Sequence, residues 1–318
     1  VKQLVILSGK GGTGKTSVTV SFAHLASHDN RVRAILADAD VDASNLELVL
    51  EPQVCESHDF AGGSVASIDP VMCNRCGICA TTCRFDAIIY TPPQNGQPET
   101  YSVDEVACEG CAACYYQCPS QTIRLEEQIA GQWFRSDSRY GPLFHAALRP
   151  AQENSGKLVT LVKQQARLLG LDEGYDLVLV DGPPGIGCPV ISAASGADIA
   201  LVVAEPTNSG IHDLERVLQT TSHFRIPSLV CINKADIYPE GVERLEAYCR
   251  EHDIPVVGHI PFDEELPKAM IQGEPITAWR PDSPVSRAIA NVWDTVMTHL
   301  VGQVGEGVVE EGVSAHGR

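Results

Sequence analysis

The sequence predicts an α/β protein in which a doubly wound, mainly parallel sheet is interrupted by a small inserted α+β unit. Three observations carry this expectation. Short apolar runs alternate with helix-length periodic stretches at both ends of the chain, the first run ends in a glycine-rich turn, and eight of the 12 cysteines crowd between Cys73 and Cys118.

At 318 residues the chain is long enough to bury one full core and to carry either a second domain or a large insertion. Forty-one acidic residues against 23 basic ones leave a formal charge of −18, which repels phosphate backbones and anionic lipid surfaces. Nucleic acid and stable membrane association are therefore not expected. No apolar run approaches the ~20 residues of a membrane span, and Val1 leads directly into a strand, so a cytoplasmic location is expected. Cytosolic thiols seldom rest as structural disulfides, so the cysteine count argues for metal or redox chemistry.

Taken in order, Lys2 to Leu7 reads as a strand, followed by a loop and a helix from about Thr16 to Ser27. Val32 to Ala37 is a second strand, delivering Asp38 and Asp40 to the end where parallel strands present functional groups. The next comparable run is Tyr175 to Val180, which stops at Asp181. Strands at Ile199 to Ala204, Ser228 to Ile232 and Val256 to Ile260 then alternate with helices near Ile211 to His223 and Pro239 to His252. A last helix spans roughly Val285 to Leu300, and NSGK at Asn154 to Lys157 reads as the cap of the helix that follows it, with Asn154 or Ser155 supplying the N-cap oxygen.

Between the second and third of these strands lies a segment of different character, with an internal repeat that places Cys73 and Cys108 35 positions apart. Each half reads as cysteine loop, short helix and short strand, with TPPQNGQ, Thr91 to Gln97, as the turn between them. The expected organisation is residues 1–66 as the first part of the nucleotide-binding domain, 67–127 as the insertion, 128–302 as the second part, and 303–318 as a flexible tail.

Gly9 to Thr16 reads GKGGTGKT, the GxxxxGK[ST] pattern, between a strand and a helix as that pattern requires. Gly9, Gly11, Gly12 and Gly14 let backbone N–H groups turn inward around phosphate oxygens, with Lys10, Thr13 and Ser17 in the same run. Lys15 supplies charge to the β and γ phosphates, and the Thr16 hydroxyl suits Mg2+. ATP or ADP with Mg2+ is thus the expected ligand, and Mg-dependent ATP hydrolysis the expected activity.

Lys10 is a second lysine that an ordinary phosphate loop does not need. With it the sequence resembles the deviant-Walker P-loop ATPases, the MinD, ParA and Mrp superfamily that includes the nitrogenase iron protein. That resemblance implies a dimer, of identical chains or with a close paralogue, in which Lys10 reaches the partner's nucleotide. DADVDASNL, Asp38 to Leu46, resembles the first switch of that class, with Asp38 and Asp40 placed to position Mg2+ or the attacking water. LVLVDGPPG, Leu177 to Gly185, resembles its Walker B strand and second switch, with Asp181 holding the metal shell. INKAD and IPFDEE resemble segments that enclose the base, so Asn233, Pro261 and Asp263 are expected to bind nucleotide. The NKxD form leaves guanine open beside adenine.

Cys73, Cys76, Cys79 and Cys83 form CxxCxxCxxxC, and Cys108, Cys111, Cys114 and Cys118 repeat it, the second run followed by Pro119 and the first by Arg84. This pattern resembles bacterial two-cluster ferredoxins. The resemblance implies two 4Fe-4S clusters, one held by Cys73, Cys76, Cys79 and Cys118, the other by Cys108, Cys111, Cys114 and Cys83. Zinc also uses CxxC pairs but does not require triplets with a trailing fourth cysteine. Cys188, seven residues after Asp181, lies where the nitrogenase iron protein carries a cluster ligand and is a further candidate at a dimer interface. Cys55, Cys231 and Cys249 read as small packing residues.

These features predict an ATP-hydrolysing iron-sulfur protein that couples nucleotide state to electron transfer toward a redox or metalloprotein partner. The alternative is an ATP-dependent factor for metallocluster assembly or delivery. A positioning ATPase of the MinD or ParA kind fits less well, because VGQVGEGVVEEGVSAHGR lacks a basic amphipathic helix.

Overall fold

The computed structural model describes residues 1–42, 45–94, 96–149 and 154–302. The tail expected from 303 lies outside these residues, as do Ala43 and Ser44 of the first switch and Asn95 of the TPPQNGQ turn.

The chain runs β1 (Lys2–Ser8), α1 (Lys15–His28), β2 (Ala34–Asp38), α2 (Leu46–Leu50), β3 (Gln53–Ile68), α3 (Ile78–Thr82), β4 (Ile88–Thr91), β5 (Thr100–Val103), α4 (Ala113–Gln117), β6 (Ile123–Ser138) and β7 (Gly141–Leu148). It continues through α5 (Ser155–Glu173), β8 (Leu177–Pro184), α6 (Cys188–Ala194), β9 (Ile199–Ala204), α7 (Asn208–His223), β10 (Ser228–Asn233), α8 (Pro239–Glu251), β11 (Val256–Ile260), α9 (Glu265–Ile271), α10 (Ile276–Trp279) and α11 (Pro284–Gly302).

Two compact units result. The first comprises Val1–Ser57, Trp133–Ala147 and the chain from Ser155, and the second His58–Gln132 with Leu148–Asn154. The cysteine-rich segment lies within the second, and the division falls inside β3 and β6.

The sheet has the order β11-β10-β9-β1-β8-β2-β7-β6-β3. β1 pairs in parallel with β8 and β9, β10 with β9 and β11, and β2 with β8 and β7. The chain therefore winds outward in both directions from the β1/β8 region, and the carboxyl ends of β1, β2 and β8 meet there, with Asp38 in register with Asp181. Leu4 to Leu7 and Leu177 to Val180 are fully buried, as strands covered on both faces must be. Helix α1 contributes Val18, Phe22 and Ala26, one stripe at helical spacing, and Phe22 meets Trp293 of α11 edge-on at 5.1 Å between ring centroids.

Strands β3, β6 and β7 were not expected from the sequence. In β3 the first seven residues, QVCESHD, are exposed and carry no apolar run, β6 leaves Arg124 to Glu127 exposed, and in β7 His145 breaks a short buried run. Strands without two buried faces leave little hydropathy signal.

Helices α5 and α6 are joined by a buried lysine. Lys163 Nζ donates to the carbonyl oxygens of Ser192 (2.8 Å), Ala193 (2.6 Å) and Ser195 (2.7 Å), satisfying the C-terminal end of α6. Burial, with a smaller contribution from Arg167, pulls its pKa from 10.5 to about 8.

In the second unit, α3 and α4 each begin after a residue in the left-handed region, Gly77 (φ 72°) and Ala112 (φ 61°), so the sequence repeat is also a backbone repeat. β4 and β5 form an antiparallel hairpin in which Ile88 faces Val103. A Cβ on Gly110 would lie 2.0 Å from the Ser64 carbonyl oxygen, so glycine is required there. One buried cluster is formed by Ala66, Cys79 and Ile123, with Cys108, Cys114 and Cys118 among the groups packed on it.

Lys163→Met is expected to cost about 2–4 kcal/mol at neutral pH, because three carbonyls lose their donor. Since the folded pKa lies below the unfolded one, the unfolded chain binds the extra proton between about pH 8 and 10.5. Wild-type stability relative to Lys163→Met should therefore rise with pH across that window, as read by urea denaturation at matched pH values.

Candidate functional site

The loop between β1 and α1 is shaped by two left-handed glycines, Gly12 (φ 77°) and Gly14 (φ 92°), the second being the residue from which α1 starts. At its other shoulder Gly9 packs against α7, where an added Cβ would lie 2.4 Å from Asp213 Cβ.

Asp181, buried at the carboxyl end of β8, gathers the start of α1. Its Oδ1 accepts from Thr19 Oγ1 (2.8 Å) and pairs with Lys15 Nζ (3.1 Å), and its Oδ2 accepts from Thr16 Oγ1 (2.8 Å). The other side of the loop is held by Asn233 at the end of β10, whose Nδ2 donates to the Thr13 carbonyl at 2.7 Å. Its Oδ1 accepts from the Lys234 N–H at 2.9 Å. The Asn233 amide expected to read the base is therefore engaged with the phosphate loop itself.

The two switch carboxylates differ. Asp38 is buried and accepts from the backbone N–H of Asp40 (3.0 Å) and of Leu46 (3.1 Å), so it shapes the turn into α2. Asp40 lines the open cavity above the loop. That cavity, about 620 Å³, is bounded by Lys10 to Ser17, Asp40, Asn233 and Lys234 on one side. Pro261, Phe262, Leu266, Met270 and Ile271 contribute an apolar part of the lining, with Asp263 beside them. The α9 side chains of that part were missed in the sequence, although Leu266 and Met270 are one helical turn apart. Asp236, the carboxylate that left guanine open, is outside the lining, and its Oδ1 accepts from the Phe262 N–H at 2.7 Å.

The cavity fits a nucleotide with Mg2+ on its own geometry. Glycines line the loop, a lysine and two hydroxyls converge on one carboxylate, and the buried Thr13 Oγ1 has no hydrogen-bond partner among the described residues.

The sequence model of the CobQ/CobB/MinD/ParA nucleotide binding domain matches residues 4–276. The chain belongs to this family. It is a P-loop ATPase that hydrolyses ATP. An uncharacterized protein of Methanocaldococcus jannaschii is 29% identical over 294 residues, covering 92% of this chain and 96% of its own length. The cytosolic Fe-S cluster assembly factor NBP35 of Eremothecium gossypii is 24% identical, covering 91% of this chain and 73% of its own. Septum site-determining protein MinD of Pyrococcus horikoshii, solved with Mg-ADP, shares the fold at a TM-score of 0.55 and 20% identity, covering 96% of this chain and 99% of that one.

Beyond the nucleotide cavity of this ATPase, the second unit brings cysteines together across the repeat. Cys83 lines one small cavity with Cys108, Cys111 and Cys114. Cys79 is raised first by burial, and it also feels Cys73, Cys114 and Cys76. The Arg75 N–H donates to Cys73 Sγ at 3.4 Å, and Cys118 Sγ lies 3.5 Å from Thr122 Oγ1. Among the described residues no three His, Cys, Asp or Glu side chains gather tightly enough to hold a single metal ion.

Of the other cysteines, Cys231 and Cys249 are buried, and burial pushes their thiols up to about 12 and about 11. Cys55 is exposed on the polar part of β3 and so is not the packing residue expected. Cys188 is exposed at the first turn of α6. No helix among the described residues is long and apolar enough to cross a membrane.

Gly14→Ala tests the loop geometry: φ 92° is strained for alanine, and the new Cβ would lie 2.3 Å from Asn233 Nδ2. The substitution is expected to weaken Mg-ATP binding about tenfold or more, measured by calorimetry, while the far-ultraviolet circular dichroism stays that of the wild type.

Proposed function

We propose that this ATPase carries two 4Fe-4S clusters in its second unit and couples nucleotide state to electron transfer through them. The observation that carries the reading is the placement of Cys83, from the first cysteine run, in one cavity with Cys108, Cys111 and Cys114 of the second. It supports the exchange of fourth ligands that the resemblance to two-cluster ferredoxins implies, in which Cys118 completes Cys73, Cys76 and Cys79. The donor set suits the group, since Cys79 is buried, Cys73, Cys83, Cys108, Cys114 and Cys118 are half-buried, the Arg75 N–H donates to Cys73 Sγ, and three of these thiols pack on a small buried cluster. Such clusters, when bound, supply one-electron redox chemistry.

In the nucleotide site, Lys15 and the loop amides bind the phosphates and Thr16 with Asp181 holds Mg2+. Asp40 faces the space where the attacking water would sit. Lys10 is proposed to act across a dimer of this chain or with a close relative. The apolar part of the lining between Pro261 and Ile271 takes the base, and the commitment of Asp236 to the Phe262 backbone favours adenine over guanine.

A second reading, an ATP-dependent assembly or delivery factor for metalloclusters, is favoured by relatives whose names are iron-sulfur cluster carrier protein (Aquifex aeolicus, matched over 37% of this chain) and Fe-S cluster assembly factor. Incubation of the reduced, loaded protein with ATP separates the two. Oxidation of the clusters in place by a redox acceptor supports the carrier, and movement of iron and sulfide into an apo-ferredoxin supports the assembly factor.

Anaerobically purified protein is expected to contain about eight iron and eight sulfide per chain, and Cys83→Ser should remove the same electron paramagnetic resonance signal as Cys111→Ser while Cys118→Ser removes the other. Cluster reduction potentials should differ between ADP-bound and ATP-bound protein; identical values would refute the coupling. Asp181→Asn is expected to lower ATP turnover by about 100-fold or more with cluster content unchanged.

A further inference from the structure

Three lysines surround the phosphate loop, and each is already paired with a carboxylate. Lys15 pairs with Asp181. The other two, Lys10 and Lys234, share Glu205, at the junction of β9 and α7. Lys10 Nζ lies 2.9 Å from Glu205 Oε2, and Lys234 Nζ bonds Glu205 Oε1. Glu205 is 8% exposed, and neither lysine is fully exposed. Lys234 Nζ also reaches the Gly12 carbonyl at 3.3 Å, which holds it against the loop, and Lys10 Nζ reaches the Ser209 hydroxyl at 3.4 Å, at the start of α7. Burial alone would raise the Glu205 carboxyl, but the two lysines outweigh it and leave it below the usual glutamate value.

We propose that Glu205 is an internal substitute for the terminal phosphate: it neutralises Lys10 and Lys234 while the site is free and competes with nucleoside triphosphate for them. The proposal rests on the nucleotide assignment of the loop and is independent of the clusters. Its physical basis is the shared position of the two lysines. Both line the nucleotide cavity, whereas Glu205 does not, standing behind the loop in a small cavity with Gly9, Thr13 and Asp213. Lys234 turning from Glu205 toward this cavity, and Lys10 turning toward the nucleotide of the dimer partner proposed above, each exchange one anion for another at little desolvation cost. A diphosphate does not present the group for which the exchange is made, so Glu205 acts as a selective brake on triphosphate binding. The short distance to Lys10 makes that lysine's release part of binding.

The test is calorimetric titration of Mg-ATP and Mg-ADP into wild type, Glu205→Gln, Lys10→Met and the double variant. Glu205→Gln is expected to bind Mg-ATP about fivefold more tightly, with less than about a twofold change for Mg-ADP, and the gain should vanish in the Lys10→Met background. A folded Glu205→Gln protein whose ATP affinity is unchanged or weaker, or whose gain survives loss of Lys10, overturns the proposal. If Glu205→Gln does not fold, Glu205→Asp, which keeps the charge but is too short to hold both lysines, should show a smaller gain for ATP. Failure of both variants to fold would make Glu205 a structural charge and overturn the proposal equally. Wild-type protein that binds neither nucleotide would instead refute the loop assignment.

Discussion

The carboxylate of Asp181 is the contact on which the ATPase unit turns. It sits at the carboxyl end of β8, where the register of a parallel sheet sets it beside Asp38 and below the loop that leaves β1. From there it binds Lys15, Thr16 and Thr19, groups spread over the first two turns of α1, and so fixes that helix to the sheet at the one place where the helix N-terminus must point at an anion. Because the pair with Lys15 is buried, loss of either partner strands a charge out of water, at a cost of about 3–5 kcal/mol. The loop is thereby held ready for phosphate before phosphate arrives.

The clearest features of the sequence were those whose physics is local. A glycine loop between a strand and a helix is one contiguous segment, and its shape follows from Gly12 and Gly14 having no Cβ. Strands buried on both faces, β1, β8, β9 and β10, announce themselves as apolar runs. The cysteine spacing was legible for the same reason, since CxxCxxCxxxC folds over one short helix. What stayed hidden depends on contacts distant in sequence. β3 and β6 carry exposed polar stretches, and the buried run of β7, Leu143 to Ala146, is short and broken by His145. Glu205 looked like one acidic residue among many, and only the packing of β9 and β10 beside the loop puts it between Lys10 and Lys234. Asn233 was read as a base-binding amide, yet the adjacency of β10 to the loop gives its N–H a backbone carbonyl at 2.7 Å.

The two units solve the problem of stability differently. The ATPase unit buries whole strands and an aromatic pair between α1 and α11, so its core is hydrocarbon. In the second unit the buried cluster of Ala66, Cys79 and Ile123 includes a thiol, and the groups packed on it include three more. A unit of this size buries little apolar surface to offset chain entropy, so clusters bound to the thiols as proposed would contribute folding free energy directly. Loss of that ligand would cost the unit its order and not merely its activity.

A formal charge of −18 opposes the approach of a polyanion. The resolution lies in distance. At physiological ionic strength charges farther than about 8 Å apart are largely screened, so most of the acidic surface contributes little at the loop. What the phosphates meet is the local set: Lys10, Lys15 and Lys234, with two carboxylates, Asp181 and Glu205, already among them. Three ammonium groups without counter-charges would repel one another across a few ångströms of partly desolvated protein, and the free loop would be strained open. With the carboxylates present the free state is close to neutral and compact, and the ligand gains only what it adds over the pairs it replaces. Affinity is moderated in that way while the positions of the charges stay fixed, which suits a site that must release its product as readily as it binds its substrate.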